Sequence, residues 1–262
     1  MNILDFQEKK HKGQKISMIT CYDYTFAKIL NESDIDCILV GDSLAMVMHG
    51  YQTTLNASVE MMALHTAAVS KGAPKKLIIG DLPFMSYRKS LSENMNGIEQ
   101  IMKAGAQAVK LEGAAGNLEV IRHCVESGVP VMGHLGLTPQ SVNQLGGFKV
   151  QGRDEKAQAL IKQYAHQLQD AGCFGVVLEC VPSHLAQEIS QELEIPTIGI
   201  GAGLACDGQV LVLQDMLGMN EGFSPKFLRK YFNGFEEIKK AFNKFHSDVI
   251  HKEFPNEKES YS

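Results

Sequence analysis

The sequence predicts an α/β fold, a (β/α)8 TIM barrel. Three observations predict it: short runs apolar on consecutive residues, longer stretches of helical spacing between them, and turn residues where the two meet. Runs of the first kind are strands buried on both faces, and their alternation with helices implies parallel pairing. A closed barrel or an open doubly wound sheet would satisfy that rhythm, and eight units in about 215 residues favour the barrel.

The strands are expected at 16–21, 37–40, 77–80, 108–111, 130–133, 175–178, 197–200 and 209–213. Between them, Val59, Met62, Ala63 and Ala67 form one apolar helical face, and Ala157, Leu160, Ile161, Tyr164 and Leu168 another. Ser58, Asn117, Asp154 and Ser183 stand where N-caps belong. The stretch 135–153, after the fifth strand, is too long and glycine-rich for a simple connection and reads as a lid or binding loop. From Leu228 onward, Tyr231, Phe232, Phe235, Ile238, Phe242 and Phe245 recur at helical spacing, which suits core or a subunit interface; past Ile250 the chain turns polar and should fray. With no repeat or linker to divide it, the chain reads as a single barrel domain over 1–262 with a C-terminal helical extension.

Composition narrows the function. The 262 residues are 44% hydrophobic and 21% charged, a globular balance, and the net charge of -5 leaves no basic surplus for nucleic acid. No apolar run approaches the ~20 residues that cross a bilayer, and the first thirteen residues lack the pattern of a secretory signal, so a cytoplasmic protein is expected. Six scattered cysteines without a C-x-x-C pair read as reduced thiols, with no disulfide framework and no zinc site.

Barrels of this kind place their chemistry at the carboxyl ends of the strands. Five consecutive strands deliver ionisable residues there: Asp42, Asp81, Lys110 with Glu112, His134, and Glu179. Each singly could be a cap or loop residue; five together point to a site. Asp42, Asp81 and Glu112 would crowd three carboxylates around one mouth, which calls for a compensating cation, and an all-oxygen set suits Mg2+. Such an ion could chelate a 2-oxo acid and stabilise its enolate. The blander reading pairs the acids with Lys110 or Arg88.

Lys110 lies two residues before Glu112, on the same face of its strand, and could bind a substrate carboxylate. Carboxylate neighbours favour its charged form, which argues against a Schiff base. Partial desolvation suits Glu179 to accept a proton, the alternative being a cap for the helix that Pro182-Ser183 opens. His134 could donate to substrate, shuttle a proton or be structural. The glycine run Thr197-Ile-Gly-Ile-Gly-Ala-Gly203 is a weak phosphate-binding signal and equally a tightly packed strand end.

Taken in order, Gly41-Asp-Ser-Leu-Ala-Met-Val47, Asp81-Leu-Pro-Phe-Met-Ser-Tyr87, Val109-Lys-Leu-Glu-Gly113, Pro130-Val-Met-Gly-His-Leu-Gly-Leu-Thr-Pro-Gln140, Val150-Gln-Gly-Arg153, Val177-Leu-Glu-Cys-Val-Pro182 and Ile195-Pro-Thr-Ile-Gly-Ile-Gly-Ala-Gly203 closely resemble the ketopantoate hydroxymethyltransferase family. The match runs from about Ile16 to Gly218, and Ala45 and Cys173 are small departures from it. The resemblance implies a barrel enzyme that transfers a hydroxymethyl group from 5,10-methylenetetrahydrofolate to 3-methyl-2-oxobutanoate, giving 2-dehydropantoate on the way to pantothenate. It implies Asp42, Asp81 and Glu112 as Mg2+ ligands; Asp42, Ser43, Asp81 and Lys110 as oxo-acid contacts; and Glu179 as the proton acceptor in forming a Mg2+-stabilised enolate. It also implies a cytoplasmic homo-oligomer, often a decamer. Two rival readings are a folate-independent Mg2+ lyase or class II aldolase, and a barrel kept only as an oligomeric scaffold.

Overall fold

The computed structural model describes residues 1–261. Eight parallel strands close in chain order: β1 Ile16–Thr20, β2 Cys37–Val40, β3 Leu77–Asp81, β4 Ala108–Glu112, β5 Val131–Gly136, β6 Gly175–Glu179, β7 Thr197–Ile200 and β8 Gly208–Leu211, the last pairing back onto β1. The helices are α1 Ile3–His11, α2 Tyr24–Asn31, α3 Leu44–Val47, α4 Val59–Gly72, α5 Leu91–Lys103, α6 Leu118–Glu126, α7 Val142–Leu145, α8 Glu155–Asp170, α9 Ser183–Glu192, α10 Leu213–Met216 and α11 Gly234–Ile250. The (β/α)8 barrel expected from the sequence is thus the fold observed. Met1–Leu211 form one compact unit and the described residues from Val212 onward a second.

Alternation along the strands decides what enters the barrel. Ile16, Met18, Leu39, Leu77, Ile79, Ala108, Met132, Val177, Ile198 and Val210 belong to one buried cluster that fills it. Side chains two residues apart share a strand face. Continuing the parity of Leu77 and Ile79 puts Asp81 inward, Ala108 leads to Lys110 and Glu112, Met132 to His134, and Val177 to Glu179. The same rule that packs the core therefore aims five ionisable side chains into its upper end.

The lower end is sealed by α1, an element the sequence reading did not anticipate. Asn2 and Asp5 form its capping box: the Asn2 side chain accepts from the Leu4 and Asp5 amides, and Asp5 accepts from the Asn2 amide. Phe6 is fully buried in the barrel cluster and meets Phe174 edge-on, with ring centroids 5.4 Å apart. Lys9 and Lys10 reach Asp36 and Asp207 at 2.5 and 2.8 Å. Each aspartate immediately precedes a strand and accepts, at 2.8 Å, the first or second amide of the neighbouring strand, that of Ser17 for Asp36 and of Thr197 for Asp207.

Several local expectations are corrected. Ser58 and Asp154 cap as expected, accepting from the Met61 and Ala157 amides. Asn117 instead turns its amide onto the Glu112 and Gly113 carbonyls, both at 2.9 Å, and so pins the end of β4. Ser183 is the first helical residue of α9, with Pro182 at the cap position. On α8 the inward stripe is Ile161, Ala165 and Leu168, while Leu160 faces solvent. The tail helix starts only at Gly234, leaving Leu228, Tyr231 and Phe232 outside it, and Phe242 and Phe245 are exposed. Beyond Ile250 the chain does not simply fray: Phe254 packs against Phe245 at 5.5 Å, and Glu257–Glu259 form a 3-10 turn.

The glycine run after β7 serves packing. Gly203 has φ +84°, and a Cβ there would come within 2.6 Å of the Ser183 side chain. Among the described residues no helix is long and apolar enough to cross a membrane.

Candidate active site

Strand register assembles the site in pairs. Asp81 stands beside Lys110 across β3 and β4, Glu112 beside His134 across β4 and β5, and Gly136 beside Glu179 across β5 and β6. Gly136 has φ +92°, and a Cβ there would lie 2.2 Å from the Glu179 carbonyl oxygen, so no other residue fits where β5 bends past Glu179.

Asp42, Asp81, Lys110, Glu112 and His134 are all buried, and Glu179 is more open, with its side chain 18% exposed. Lys110 Nζ pairs with Asp81 Oδ1 at 2.7 Å, and Asp81 Oδ2 accepts the Asp42 amide at 3.0 Å. Burial pushes the Asp42 carboxyl well above its ordinary range, and the Asp81 and Glu112 charges push it further. Burial also raises Asp81, although Lys110 opposes the shift. For Lys110, burial favours the neutral amine, but Asp81, Glu112 and Asp42 outweigh it and hold the ammonium above the usual lysine range. A charged Lys110 is no Schiff-base nucleophile.

Glu112 Oε1 and His134 Nε2 are buried without an aligned hydrogen bond. The first lies 3.4 Å from His134 Nδ1 and the second 3.2 Å from Glu179 Oε2. Burial and Lys110 lower the His134 pKa, yet the Glu112 and Glu179 carboxylates prevail and bring it up to about 9. The two carboxylates thus favour the protonated ring at neutral pH.

The loop after β5 enters the site through Gln140, which sequence reasoning had not singled out. Its Nε2 donates to Asp42 Oδ2 at 2.8 Å and to the Leu82 carbonyl at 2.9 Å, its Oε1 accepts the Tyr87 hydroxyl at 2.6 Å, and its backbone amide donates to Glu112 Oε2 at 3.0 Å. One residue thus ties the ends of β2, β3 and β4 together. Tyr87, equally unanticipated, also receives the Glu112 amide at 3.3 Å. Arg88 spends its guanidinium on the Ala115 and Glu112 carbonyls and does not pair with the acids, against one of the blander readings. Ser43 Oγ lies 2.8 Å from the buried Tyr22 hydroxyl.

The donor set suits a hard divalent cation. Among the described residues, four carboxylates face only Lys110 and His134 as cations; Glu112 Oε1 has no hydrogen bond, and Asp42 is driven toward its neutral form by burial and by like charges that a cation would screen. Among the described residues no group of three His, Cys, Asp or Glu side chains forms a ready-made metal cage: Lys110 occupies Asp81 Oδ1, and Gln140 occupies Asp42 Oδ2.

Fold and site together define a (β/α)8-barrel enzyme with its chemistry at the carboxyl ends of the strands. Solved structures with this architecture include phosphonopyruvate hydrolase, with a TM-score of 0.65, 11% identity and coverage of 99% of this chain and 93% of that one. Another is 2,3-dimethylmalate lyase, at 0.62 and 14%, covering 94% and 88%. At those identities the likeness is one of fold. Residues 1–257 match the ketopantoate hydroxymethyltransferase family, and the chain belongs to it. The 3-methyl-2-oxobutanoate hydroxymethyltransferase of Bdellovibrio bacteriovorus is 72% identical over 260 residues, 99% of each chain, and that of Coxiella burnetii 60% over 257 residues, 98% of this chain and 97% of that one.

Proposed function

We propose that the enzyme transfers a hydroxymethyl group from 5,10-methylenetetrahydrofolate to 3-methyl-2-oxobutanoate, forming 2-dehydropantoate. The observation that carries this reading, beside the family, is the buried set Asp42, Asp81, Lys110 and Glu112 with Glu179 at its open side. Asp42, Asp81 and Glu112 would hold Mg2+, which supplies Lewis-acid polarisation of the keto oxygen. The Lys110 ammonium attracts the substrate carboxylate, and Ser43 Oγ offers it a hydrogen bond. Glu179 takes the proton from C3, leaving the electron pair as an enolate. That carbon then bonds to the methylene carbon of the opened folate iminium; breakage of the C–N bond and addition of water release tetrahydrofolate and leave the hydroxymethyl group. The His134 ring, 3.2 Å from Glu179 Oε2, orients that carboxylate.

We also read the chain as a cytoplasmic homo-oligomer, a decamer in keeping with the family. The exposed Phe242 and Phe245 of α11 support self-association, and the mass in solution by sedimentation tests it.

The reaction is tested by NMR of 3-methyl-2-oxobutanoate in D2O with enzyme, Mg2+ and methylenetetrahydrofolate, beside chelator and no-folate controls. Metal-dependent 2-dehydropantoate is the expected outcome. Exchange at C3 without product would point to a different acceptor, and no change in any tube would overturn the proposal.

A further inference from the structure

Outside the barrel mouth, two imidazoles from different elements converge. His49 follows α3 in an exposed turn, and His65 lies half-buried on α4. Their Nε2 atoms are 3.0 Å apart, with the ring planes at 89°. His65 Nδ1 lies 2.5 Å from the Tyr22 carbonyl oxygen. A carbonyl can only accept, so Nδ1 carries the hydrogen and His65 Nε2 presents a lone pair. His49 must then donate through its own Nε2. Two ring nitrogens thus share one proton at an accessible position.

We infer that His49 and His65 form a site for a first-row transition cation of the imidazole-binding class, Zn2+, Ni2+ or Cu2+, distinct from the oxygen-lined centre. Two nitrogens on one tetrahedral Zn2+, each 2.0–2.1 Å from the metal, are about 3.3 Å apart. In distance the pair needs to open by only a few tenths of an ångström, and each ring turns so that its Nε2 lone pair meets the ion. On binding, the His49 hydrogen moves through solvent from Nε2 to Nδ1, leaving two neutral imidazoles, each with an Nε2 lone pair for the ion; water fills the remaining positions. The Tyr22 carbonyl is the outer-sphere acceptor that metal-ligating histidines characteristically use to fix tautomer and ring orientation. Imidazole nitrogen excludes Mg2+ from the pair as firmly as the carboxylates favour it in the barrel. An ion held here joins α4 to the segment that leaves Asp42 and Ser43.

The test uses tag-free full-length protein in saturating Mg2+. Cu2+ binding is followed by electron paramagnetic resonance, and Zn2+ binding by calorimetry. One ion per chain above the background of the His49→Gln/His65→Gln double variant is expected, with hyperfine coupling to two nitrogens, and each single variant should bind at least about tenfold more weakly. Because His49 is exposed, His49→Gln keeps the test valid should His65→Gln unfold. Binding equal to the double variant, a one-nitrogen spectrum, or loss of the ion on Asp42→Asn with both histidines intact would overturn the assignment.

Discussion

The two ends of the barrel use the same residue types to opposite effect. At the lower end, Lys9 and Lys10 each meet one aspartate, and each aspartate also accepts a strand amide and a hydroxyl, with Ser17 and Thr197 oxygens at 3.1 Å. These pairs retain some solvent, with side-chain exposures of 12–25%. At the upper end, Lys110 and His134 lie among four carboxylates, nearly all dry, and Asp81 Oδ1, Glu112 Oε1 and His134 Nε2 are buried without aligned hydrogen bonds. Balanced charge at the water's edge serves stability, whereas unbalanced charge in a dry mouth is held for chemistry and strains the fold.

The comparison is broken most sharply by Glu179→Gln. Losing the proposed proton acceptor is expected to cut kcat about 10³-fold while leaving the unfolding midpoint nearly unchanged, and C3 exchange in D2O reads it directly. Exchange at the normal rate in that variant would remove Glu179 from the role. Next in size, Phe6→Ala at the lower end should destabilise by about 3–5 kcal/mol in urea unfolding with kcat preserved under native conditions.

A crossed pair sharpens the contrast. Asp36→Asn is expected to cost about 1 kcal/mol, limited by the solvent the pair keeps, and to spare activity. Asp42→Asn should raise the melting temperature in chelator, by removing a carboxyl repelled by Asp81 and Glu112, while abolishing turnover. If both variants lose stability, the upper end is not strained. The smallest effect is in pH. Burial alone would raise Asp36, but Lys9 and Ser17 hold it below its ordinary 3.8. Its contribution is therefore complete above the unfolded value and is lost as pH falls through the lower folded one. Asp42 and Asp81, held high, bind protons more tightly folded than unfolded, so acid relieves the upper end. Urea midpoints of the two variants should approach the wild-type value from opposite sides as pH falls from 6 to 3.

What was legible in the sequence follows from this geometry. Asp81, Lys110, Glu112, His134 and Glu179 could be found because each extends an apolar strand whose parity is already set by the core. Asp42, just beyond β2, could be found because it follows a four-residue apolar run. Gln140 and Tyr87 could not, since both are neutral, sit in short turns (Gln140 in the 3-10 turn Pro139–Ser141), and are brought to the acids by the path of loops that no periodicity encodes. The plug helix escaped notice because its one deeply buried side chain, Phe6, gives no stripe to read.

That plug has a consequence in time. Phe6 and Lys10 are made well before Phe174 and Asp207, which receive them and follow roughly 10–40 s later at ordinary rates of synthesis. Through that interval the aromatic ring has no finished cavity to enter. The plug helix is made early and seated late, and its arrival marks a barrel whose eighth strand has already come home.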